Sequence, residues 1–351
     1  MKRVGNVWDK IISYENLMNA HLRASKGKGH YKEVIRVNEN PEHFIKNLRF
    51  LLANKIYYIN YSDYKMETID DKGKQRDIYK LSYYPHRIVQ WAIALQVEDR
   101  FLKNLIHDTY SSIKNKGIIL GVKRIKKALK NEEETRYCLK LDMKKYYPSI
   151  DNYILFDIIE TLIKDRELLE LLRMIIFSYG IKGQPIGSLL SQWFGNLYLS
   201  KLDHYIKENL KSKWYFRYCD DIVLLGSSKE DLRKKLRCIE IVAQEKLNLT
   251  IKENFQIFPV RTRGIDFLGY RFFGEYTLLR KKILKKIKKK LVPLQDKNIL
   301  TNSDNSAICS YKGWLKYCDS YRLWEKYFIP LKDKYYICEK GYKRRVNICL
   351  K

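Results

Sequence analysis

The chain has 351 residues, 45% of them hydrophobic and 31% charged, with 16 glycines and 7 prolines, a composition that excludes disordered and fibrous proteins and predicts two or three globular lobes. Lysine and arginine number 69 against 40 aspartates and glutamates, which gives a formal net charge of +29. This excess indicates an anionic partner, with nucleic acid as the first candidate, unless biased codon usage alone has enriched lysine.

The cysteines and the uncharged stretches indicate the compartment. Seven cysteines are spread along the chain without a CxxC pair or a cysteine–histidine cluster of metal-ligand spacing, so we expect reduced thiols, as in the cytosol. The longest uncharged stretch, 183–200, carries too many polar residues for a bilayer, and the N-terminus lacks the apolar core of a signal peptide. The sequence therefore predicts a cytoplasmic protein without membrane contact.

The first 135 residues are basic and mostly helical in pattern. Apolar residues from Ile88 to Val97 recur with helical spacing and predict a core helix. From Arg136 the pattern changes to an alternation with Leu139 and Leu141 on one side, which is typical of a half-buried strand that ends at Asp142.

Helices and a hairpin are predicted next. The stretch 153–179 has helical spacing and ends before Gly180, and a further helix opens at Pro185 and Gly187 and runs through Leu202. Two apolar-rich runs, 214–218 and 222–225, then flank Cys219-Asp220-Asp221, as the strands of a hairpin flank a tight turn.

The last third of the chain alternates helix and strand patterns. A helix is predicted over 229–247, followed by a strand-like segment over 249–260 and a short apolar motif at 264–270. Arg280 to Leu294 forms a strongly basic amphipathic helix, whose apolar seam is Ile283, Ile287 and Leu291.

Three carboxylates suggest chemistry at the strand end and the hairpin tip: Asp142, Asp220 and Asp221. An antiparallel sheet could bring them together, where they would repel each other. Two Mg²⁺ ions would relieve that repulsion and create the two-metal arrangement for in-line phosphoryl transfer. An ordinary surface turn with aspartates is the alternative.

Several motifs carry a resemblance to a known family. Tyr218-Cys219-Asp220-Asp221 resembles the YxDD box of reverse transcriptases, and 141–147 resembles their first palm motif. Over roughly residues 70–325, further family motifs are matched in the same order at 74–76, 86–90, 183–192, 249–252 and 264–270. The resemblance implies an α+β right-hand polymerase with fingers, a palm whose antiparallel sheet carries the catalytic carboxylates, and a helical thumb.

The family also implies an organisation and an activity. Fingers are expected over 1–135, a palm over 136–275 with a helical insertion at 150–182, and a thumb with a C-terminal tail over 276–351. The expected activity is RNA-directed DNA polymerisation with two Mg²⁺ ions, for which Mn²⁺ can substitute. The expected ligands are template RNA, the RNA/cDNA duplex and dNTPs.

Site residues follow from the matched motifs. Catalytic roles are implied for Asp142, Asp220, Asp221 and Lys252, and metal contacts for the three aspartates and Met143. Lys252 would protonate pyrophosphate, although its local spacing departs from the commoner pattern.

Tyr147 matches the steric gate that crowds a ribose 2′-hydroxyl, with a core tyrosine as the alternative. Further nucleotide contacts are implied for Lys74, Arg76, Ile186, Gly187 and Gln192. Contacts to nucleic-acid phosphates are implied for the thumb lysines Lys281, Lys282, Lys285, Lys286 and Lys289, with a merely solvated face as the alternative.

The third motif points to a subfamily. Where the family commonly reads QGxxxSP, residues 186–192 read IGxxxSQ, which resembles reverse transcriptases of diversity-generating retroelements. Those bacterial or phage-encoded enzymes copy a structured template RNA into cDNA mutated chiefly at adenines, with a small basic helical accessory variability protein that forms an oligomer. The alternatives are a reverse transcriptase of a phage-defence system or a retron, and a non-catalytic RNA-binding scaffold.

Overall fold

The computed structural model describes residues 3–70, 73 and 75–332, and its contacts divide the chain into two compact units. The first unit comprises the described residues of Met1–Asn115, Leu141–Ile222 and Lys234–Phe255. The second comprises those of Lys116–Lys140, Val223–Arg233 and Gln256–Lys351. The division into fingers, palm and thumb remains a prediction.

Helices make up most of both units. They are α1 (Trp8–Ile11), α2 (Tyr14–Ser25), α3 (Lys32–Glu39), α4 (Pro41–Ala53), α5 (Ile88–Asn104), α6 (Ile118–Leu129), α7 (Tyr146–Ser149), α8 (Asn152–Glu160), α9 (Arg166–Phe177), α10 (Leu189–His204), α11 (Lys229–Leu247), α12 (Val260–Arg263), α13 (Lys281–Gln295), α14 (Asn302–Leu315) and α15 (Tyr321–Tyr327). Short 3-10 or π-helical turns cover Tyr61–Asp63, Tyr83–Arg87, Tyr205–Asn209 and Ile329–Leu331.

The strands form three sheets. They are β1 (Lys65–Asp70), β2 (Gln75–Lys80), β3 (Tyr137–Asp142), β4 (Tyr215–Tyr218), β5 (Asp221–Gly226), β6 (Gln256–Pro259), β7 (Ile265–Phe267), β8 (Tyr270–Phe272) and β9 (Thr277–Leu279). The sheet orders are β1–β2, β4–β5–β3–β6 and β7–β8–β9. Strand β3 pairs antiparallel with β6, with Tyr137 opposite Pro259, so Asp142 lies at the far end of β3.

Helix α5 is central to the core of the first unit, where it packs against α2 and α10. Its residues Ile88, Ala92 and Ile93 are fully buried, as the helical spacing predicts. The side chain of Gln90 on the same helix accepts hydrogen bonds from the Leu189 N–H at 3.1 Å and the Ser188 hydroxyl at 3.2 Å. These bonds satisfy groups at the start of α10 that have no partner within the helix.

Strand β3, the hairpin strands β4 and β5, helix α11 and the basic helix α13 are confirmed close to their predicted bounds. The single stretch predicted over 153–179 is wrong in detail, because it forms two helices, α8 and α9. Asp165 separates them: its side chain accepts the N–H of Leu168 at 3.2 Å and so begins a new helix.

Two further expectations needed correction. The strand predicted over 249–260 is limited to Gln256–Pro259, and only Ile251 before it forms a bridge, to Met143. The helix predicted to open at Pro185 and Gly187 begins at Leu189, because Gly187 has a φ of +118°, outside the helical region.

The second unit contains the meander of β7, β8 and β9 and the helices after it. Helix α13 contacts α14 and α15, and its residues Ile287 and Leu291 are fully buried. The apolar seam predicted for this helix therefore packs within the unit, while Ile283 is half-buried.

The cysteines and the length of the apolar helices bear on the expected compartment. Cys138, Cys219, Cys238, Cys309 and Cys318 form no disulfide with one another, whereas Cys338 and Cys349 lie outside the described residues. No helix in the described part of the chain is long and apolar enough to cross a membrane.

Candidate active site

The hairpin of β4 and β5 carries two of the predicted carboxylates. Cys219 and Asp220 form its two-residue turn, and Asp221 is the first residue of β5. Cys219 adopts a left-handed φ of +57°, a conformation that residues with a Cβ seldom adopt. The apolar strand residues on both sides of the turn are buried, so packing in the core fixes the two strands that carry the turn.

The carboxyl groups of Asp220 and Asp142 contact each other. Burial, then the neighbouring charge of Asp142 and a hydrogen bond with its carboxyl group, raise the pKa of Asp220 to about 6. Two carboxylates in contact cannot both ionise without a compensating cation. The order β4–β5–β3 brings the end of β3 beside the start of β5 and so accounts for the contact.

Lys252 lies beside the Asp142 carboxyl group. Its ammonium group forms an ion pair with Oδ2 of Asp142, and its main-chain N–H donates to the Asp142 carbonyl at 2.9 Å. The bridge between Ile251 and Met143 holds this segment beside the end of β3. The structure therefore brings the predicted Lys252 to the carboxylate pair.

The carboxylate pair of Asp142 and Asp220 fits a divalent cation, because it offers hard oxygen donors and its mutual repulsion would be relieved there. No group of three or more histidine, cysteine, aspartate or glutamate side chains in the described ranges has the arrangement of a metal site, so the fit rests on this pair. The Met143 side chain is fully buried and a thioether suits soft metals. Met143 could contribute only its main-chain oxygen.

Tyr147 lies against the hairpin tip and helix α10. Its hydroxyl is 3.8 Å from the Cys219 sulfur, and its ring is so close to Gly195 that a Cβ there would lie 3.2 Å from it. Burial, followed by the nearby groups of Cys219 and Asp220, raises the pKa of Tyr147. The residue is half-buried, so it is not fully enclosed in the core.

The β1–β2 hairpin reaches the predicted nucleotide-contacting loop. The Tyr79 N–H donates to the Ile186 carbonyl at 2.9 Å, and a Cβ on Gly187 would lie 2.7 Å from Cγ2 of Ile78. Arg76 is exposed on the same strand, opposite Ile69. The structure thus associates Arg76, Ile186 and Gly187 with one hairpin.

Two further nucleotide contacts were predicted, at Gln192 and Lys74. Gln192 is exposed on helix α10. Lys74 lies outside the described residues.

The loop that leads to Ile186 is held by a buried amide network. The Asn152 side chain donates to the carbonyls of Gly180 at 2.7 Å and Gly183 at 3.1 Å. Gln184 in turn donates to Oδ1 of Asn152 at 2.8 Å. Since both side chains are buried, this network fixes the path of the loop.

Sequence reasoning missed Arg217, which is fully buried directly behind the hairpin tip. Its guanidinium binds the Asp203 carboxylate of α10 through two nitrogens, at 2.8 and 2.7 Å. One feature of the sequence could have indicated it, namely an arginine among the apolar residues of a predicted strand. A buried arginine requires an anionic partner. The identity of that partner could not be read from local pattern.

The predicted nucleic-acid contacts belong to the second unit. On α13 the seam residues Ile287 and Leu291 are buried and Ile283 is half-buried, whereas the five predicted lysines are exposed. They are Lys281, Lys282, Lys285, Lys286 and Lys289. This distribution is that of a helix with one packed face and one basic face.

A family comparison decides the assignment. The sequence model described as "Reverse transcriptase (RNA-dependent DNA polymerase)" matches residues 69–272, which is more than half of the chain. The chain belongs to the reverse transcriptase family. It is therefore an RNA-directed DNA polymerase, and polymerases of this family use divalent metal ions.

Individual relatives agree with this assignment. The Retron Ec73 reverse transcriptase of Escherichia coli is 25% identical over 291 residues, covering 76% of this chain and 88% of that protein.

Among solved structures, apo telomerase from Candida tropicalis matches with a TM-score of 0.50 at 14% identity, over 78% of this chain and 56% of that chain. Telomerase from Candida albicans in complex with the TWJ fragment of telomeric RNA matches with a TM-score of 0.49 at 12% identity, over 85% and 64%. This reverse transcriptase thus spans less than two thirds of either telomerase chain. The first of these matches confirms the predicted α+β fold class, that of the right-hand polymerases.

Proposed function

We propose that this reverse transcriptase makes cDNA on a structured template RNA by two-metal nucleotidyl transfer, with two Mg²⁺ ions, or Mn²⁺ in their place, held by Asp142, Asp220 and Asp221. The observation that carries the proposal is the contact between the carboxyl groups of Asp142 and Asp220. Bound ions would supply the positive charge that activates a 3′-hydroxyl and stabilises leaving pyrophosphate. The carboxylates would hold and orient these ions at the hairpin tip.

The incoming dNTP would be selected and held by neighbouring side chains. Tyr147 would exclude a ribose 2′-hydroxyl with its ring, whose packing against Gly195 supports a fixed position. Arg76 would bind the triphosphate with its planar fork of donors. Lys252, whose ammonium already contacts Asp142, would donate a proton to pyrophosphate.

The RNA/cDNA duplex would be bound by the basic face of α13. The five predicted lysines of this helix are exposed while Ile287 and Leu291 are buried, so this face of the helix presents positive charge to solvent, where phosphates can approach. Contacts of this kind are independent of base sequence and weaken with salt.

The first candidate for the biological setting is a diversity-generating retroelement, a cytoplasmic system of a bacterium or phage. It is supported by IGxxxSQ at 186–192, where Ile186 replaces a hydrogen-bonding side chain near the nucleotide. In that setting the enzyme would make cDNA with errors chiefly at template adenines. A small basic helical accessory protein, itself oligomeric, would be its partner.

The second candidate is a retron or a phage-defence system. It is supported by the similarity to the Retron Ec73 reverse transcriptase, which extends over 88% of that protein. The two candidates share the polymerase chemistry and differ in where errors fall in the cDNA.

Sequencing of cDNA tests these proposals together. The full chain is given an adenine-containing RNA with a primer, dNTPs and Mg²⁺, with and without the accessory protein, and Ile186→Gln and Ile186→Val are compared with wild type. Errors concentrated opposite adenine, reduced by Ile186→Gln but kept by the apolar Ile186→Val, would support the first candidate. Evenly spread errors would reject it in favour of the second, and absence of cDNA from the wild type would contradict the polymerase proposal.

A further inference from the structure

We infer that Arg217 is a positioning residue for catalysis, which orients the Asp220 carboxylate by holding the main-chain carbonyl of Cys219. The inference rests on the proposed role of Asp220 in metal binding. Arg217 is fully buried, so it cannot touch nucleotide or template and can act only through other residues.

The guanidinium connects helix α10 with the hairpin tip. On one side Nε and Nη2 bind the two oxygens of Asp203 at 2.8 and 2.7 Å. On the other side Nη1 donates to the Cys219 carbonyl at 2.9 Å and to Oδ1 of Asn196 at 3.2 Å. One rigid, planar group thus joins the turn to two side chains of α10.

The bond to Cys219 matters because of the local backbone. Cys219 has a φ of +57° without being a glycine, a conformation that is unfavourable for a residue with a Cβ. Such a conformation persists only where the surroundings over-determine it. The Cys219 carbonyl belongs to the peptide group that precedes Asp220, so fixing this carbonyl limits the directions in which the Asp220 side chain can point.

The base of the hairpin is held independently of that bond. The main chain of Arg217 pairs with a neighbouring segment: its N–H donates to the Asp108 carbonyl and its carbonyl accepts the Tyr110 N–H, each at 3.0 Å. Asp203 also accepts the Tyr215 hydroxyl at 2.5 Å. The strand can therefore keep its place when the guanidinium contact to Cys219 is lost.

The rival explanation is that Arg217 and Asp203 form a purely structural ion pair. Removing one partner of a buried pair leaves an uncompensated charge, whereas replacing both is often tolerated. Arg217→Gln alone should therefore unfold readily, while Arg217→Gln combined with Asp203→Asn should recover stability. In the double variant the glutamine side chain is too short to reach both the amide at position 203 and the Cys219 carbonyl, so the hairpin tip is no longer held.

The experiment measures thermal stability, RNA affinity, and kcat and KM for dNTP in wild type, the double variant and Arg217→Lys. The control is Tyr215→Phe, which removes a hydrogen bond to Asp203 and leaves the Cys219 contact in place. We expect the double variant to melt near the wild type and bind RNA as well, with a loss of kcat of about tenfold or more and little change in KM. Arg217→Lys, a point charge without the fork, should lose kcat in the same way.

Recovery of kcat along with stability in the double variant would overturn the inference. If the double variant does not fold, full kcat in folded Arg217→Lys would overturn it equally, and a loss of kcat there with unchanged KM would support it. A loss of kcat in Tyr215→Phe as large as in Arg217→Lys would also count against it. Inactivity of the wild type itself would instead contradict the proposed function.

Discussion

The N–H of Tyr79 on strand β2 donates to the main-chain carbonyl of Ile186 at 2.9 Å. This bond joins the exposed β1–β2 hairpin to the loop that precedes helix α10. The next residue, Gly187, lies so close to β2 that a side chain there would meet Cγ2 of Ile78 at 2.7 Å and the Tyr79 carbonyl at 3.1 Å. Glycine is therefore required for this approach of hairpin and loop.

We predict that Gly187→Ala lowers kcat/KM for dNTP by about tenfold or more, because the added Cβ would push the hairpin away from the loop. The φ of +118° adds backbone strain of about 1–3 kcal/mol. Single-nucleotide extension with a dNTP titration measures the effect. Gly27→Ala is the control, since Gly27 has a φ of +73° and nothing within 4 Å of its added Cβ. Equal activity of the two variants would contradict the prediction.

Replacement of Tyr147 tests the steric gate. Tyr147→Val should allow incorporation of ribonucleotides, because the missing ring leaves room for a 2′-hydroxyl, whereas Tyr147→Phe should keep the discrimination of the wild type. The relative kcat/KM for dNTP and rNTP on one template gives the answer. If Tyr147→Val discriminates as the wild type does, Tyr147 is only a packing residue against Gly195.

The basic face of α13 predicts a salt-dependent affinity. Replacing Lys285 and Lys289 by glutamine should weaken binding of every RNA/DNA duplex alike and reduce the slope of log affinity against log salt by about 1–2. Filter binding over a salt series measures that slope. Lys123 and Lys127 of α6, an exposed pair with the same spacing, serve as the matched control. An unchanged slope in the Lys285 and Lys289 variant would mean that this face only contacts solvent.

A buried histidine predicts a pH dependence of stability. His86 contacts the Tyr57 hydroxyl at 3.0 Å. Burial lowers the pKa of His86, and the smaller effect of the Asp63 charge is to raise it. The unfolded chain therefore binds a proton near pH 6.5 that the folded chain binds only at lower pH. The contribution of His86 to the free energy of unfolding is therefore fully present above about pH 6.5. It falls as the pH drops below that value, by up to about 1.4 kcal/mol per pH unit.

Urea unfolding at pH 7.5 and 5.5 measures this contribution. His86→Gln should be less stable than wild type at pH 7.5 and should lose less stability on acidification. His43→Gln, at an exposed position of α4, should keep the wild-type dependence. Parallel losses in wild type and His86→Gln would show that His86 does not carry the effect.

The sequence predicts an element well where one of its faces is buried. Helix α11 matches its predicted bounds, and strands β4 and β5 lie within one residue of theirs, because apolar spacing alone identifies such elements. The β1–β2 hairpin was not predicted, since most of its side chains are exposed and give no alternation. Its pairing depends on main-chain bonds and on contacts such as Thr68 with Asp77 at 2.7 Å.

The residues of the candidate site were likewise predicted only where local features of the sequence identify them. Asp142 and Asp220 were found because a strand end and a hairpin tip are local features that a sheet then brings together. Arg217 of strand β4 was missed because its ion-pair partner, Asp203, is a residue of helix α10. Long-range pairing of this kind leaves no periodic signal in the sequence.

In the proposed mechanism, Asp142 and Asp220 hold the metal ions for cDNA synthesis. Asp142→Asn and Asp220→Asn are compared with Asp157→Asn, an exposed aspartate of α8, by primer extension on RNA at several Mg²⁺ concentrations and by RNA binding without dNTPs. We predict that both site variants lose synthesis at every Mg²⁺ concentration while binding RNA like wild type, because one anionic ligand is lost and the basic surfaces are unchanged. Synthesis by either site variant at the rate of Asp157→Asn would contradict this role of the two aspartates.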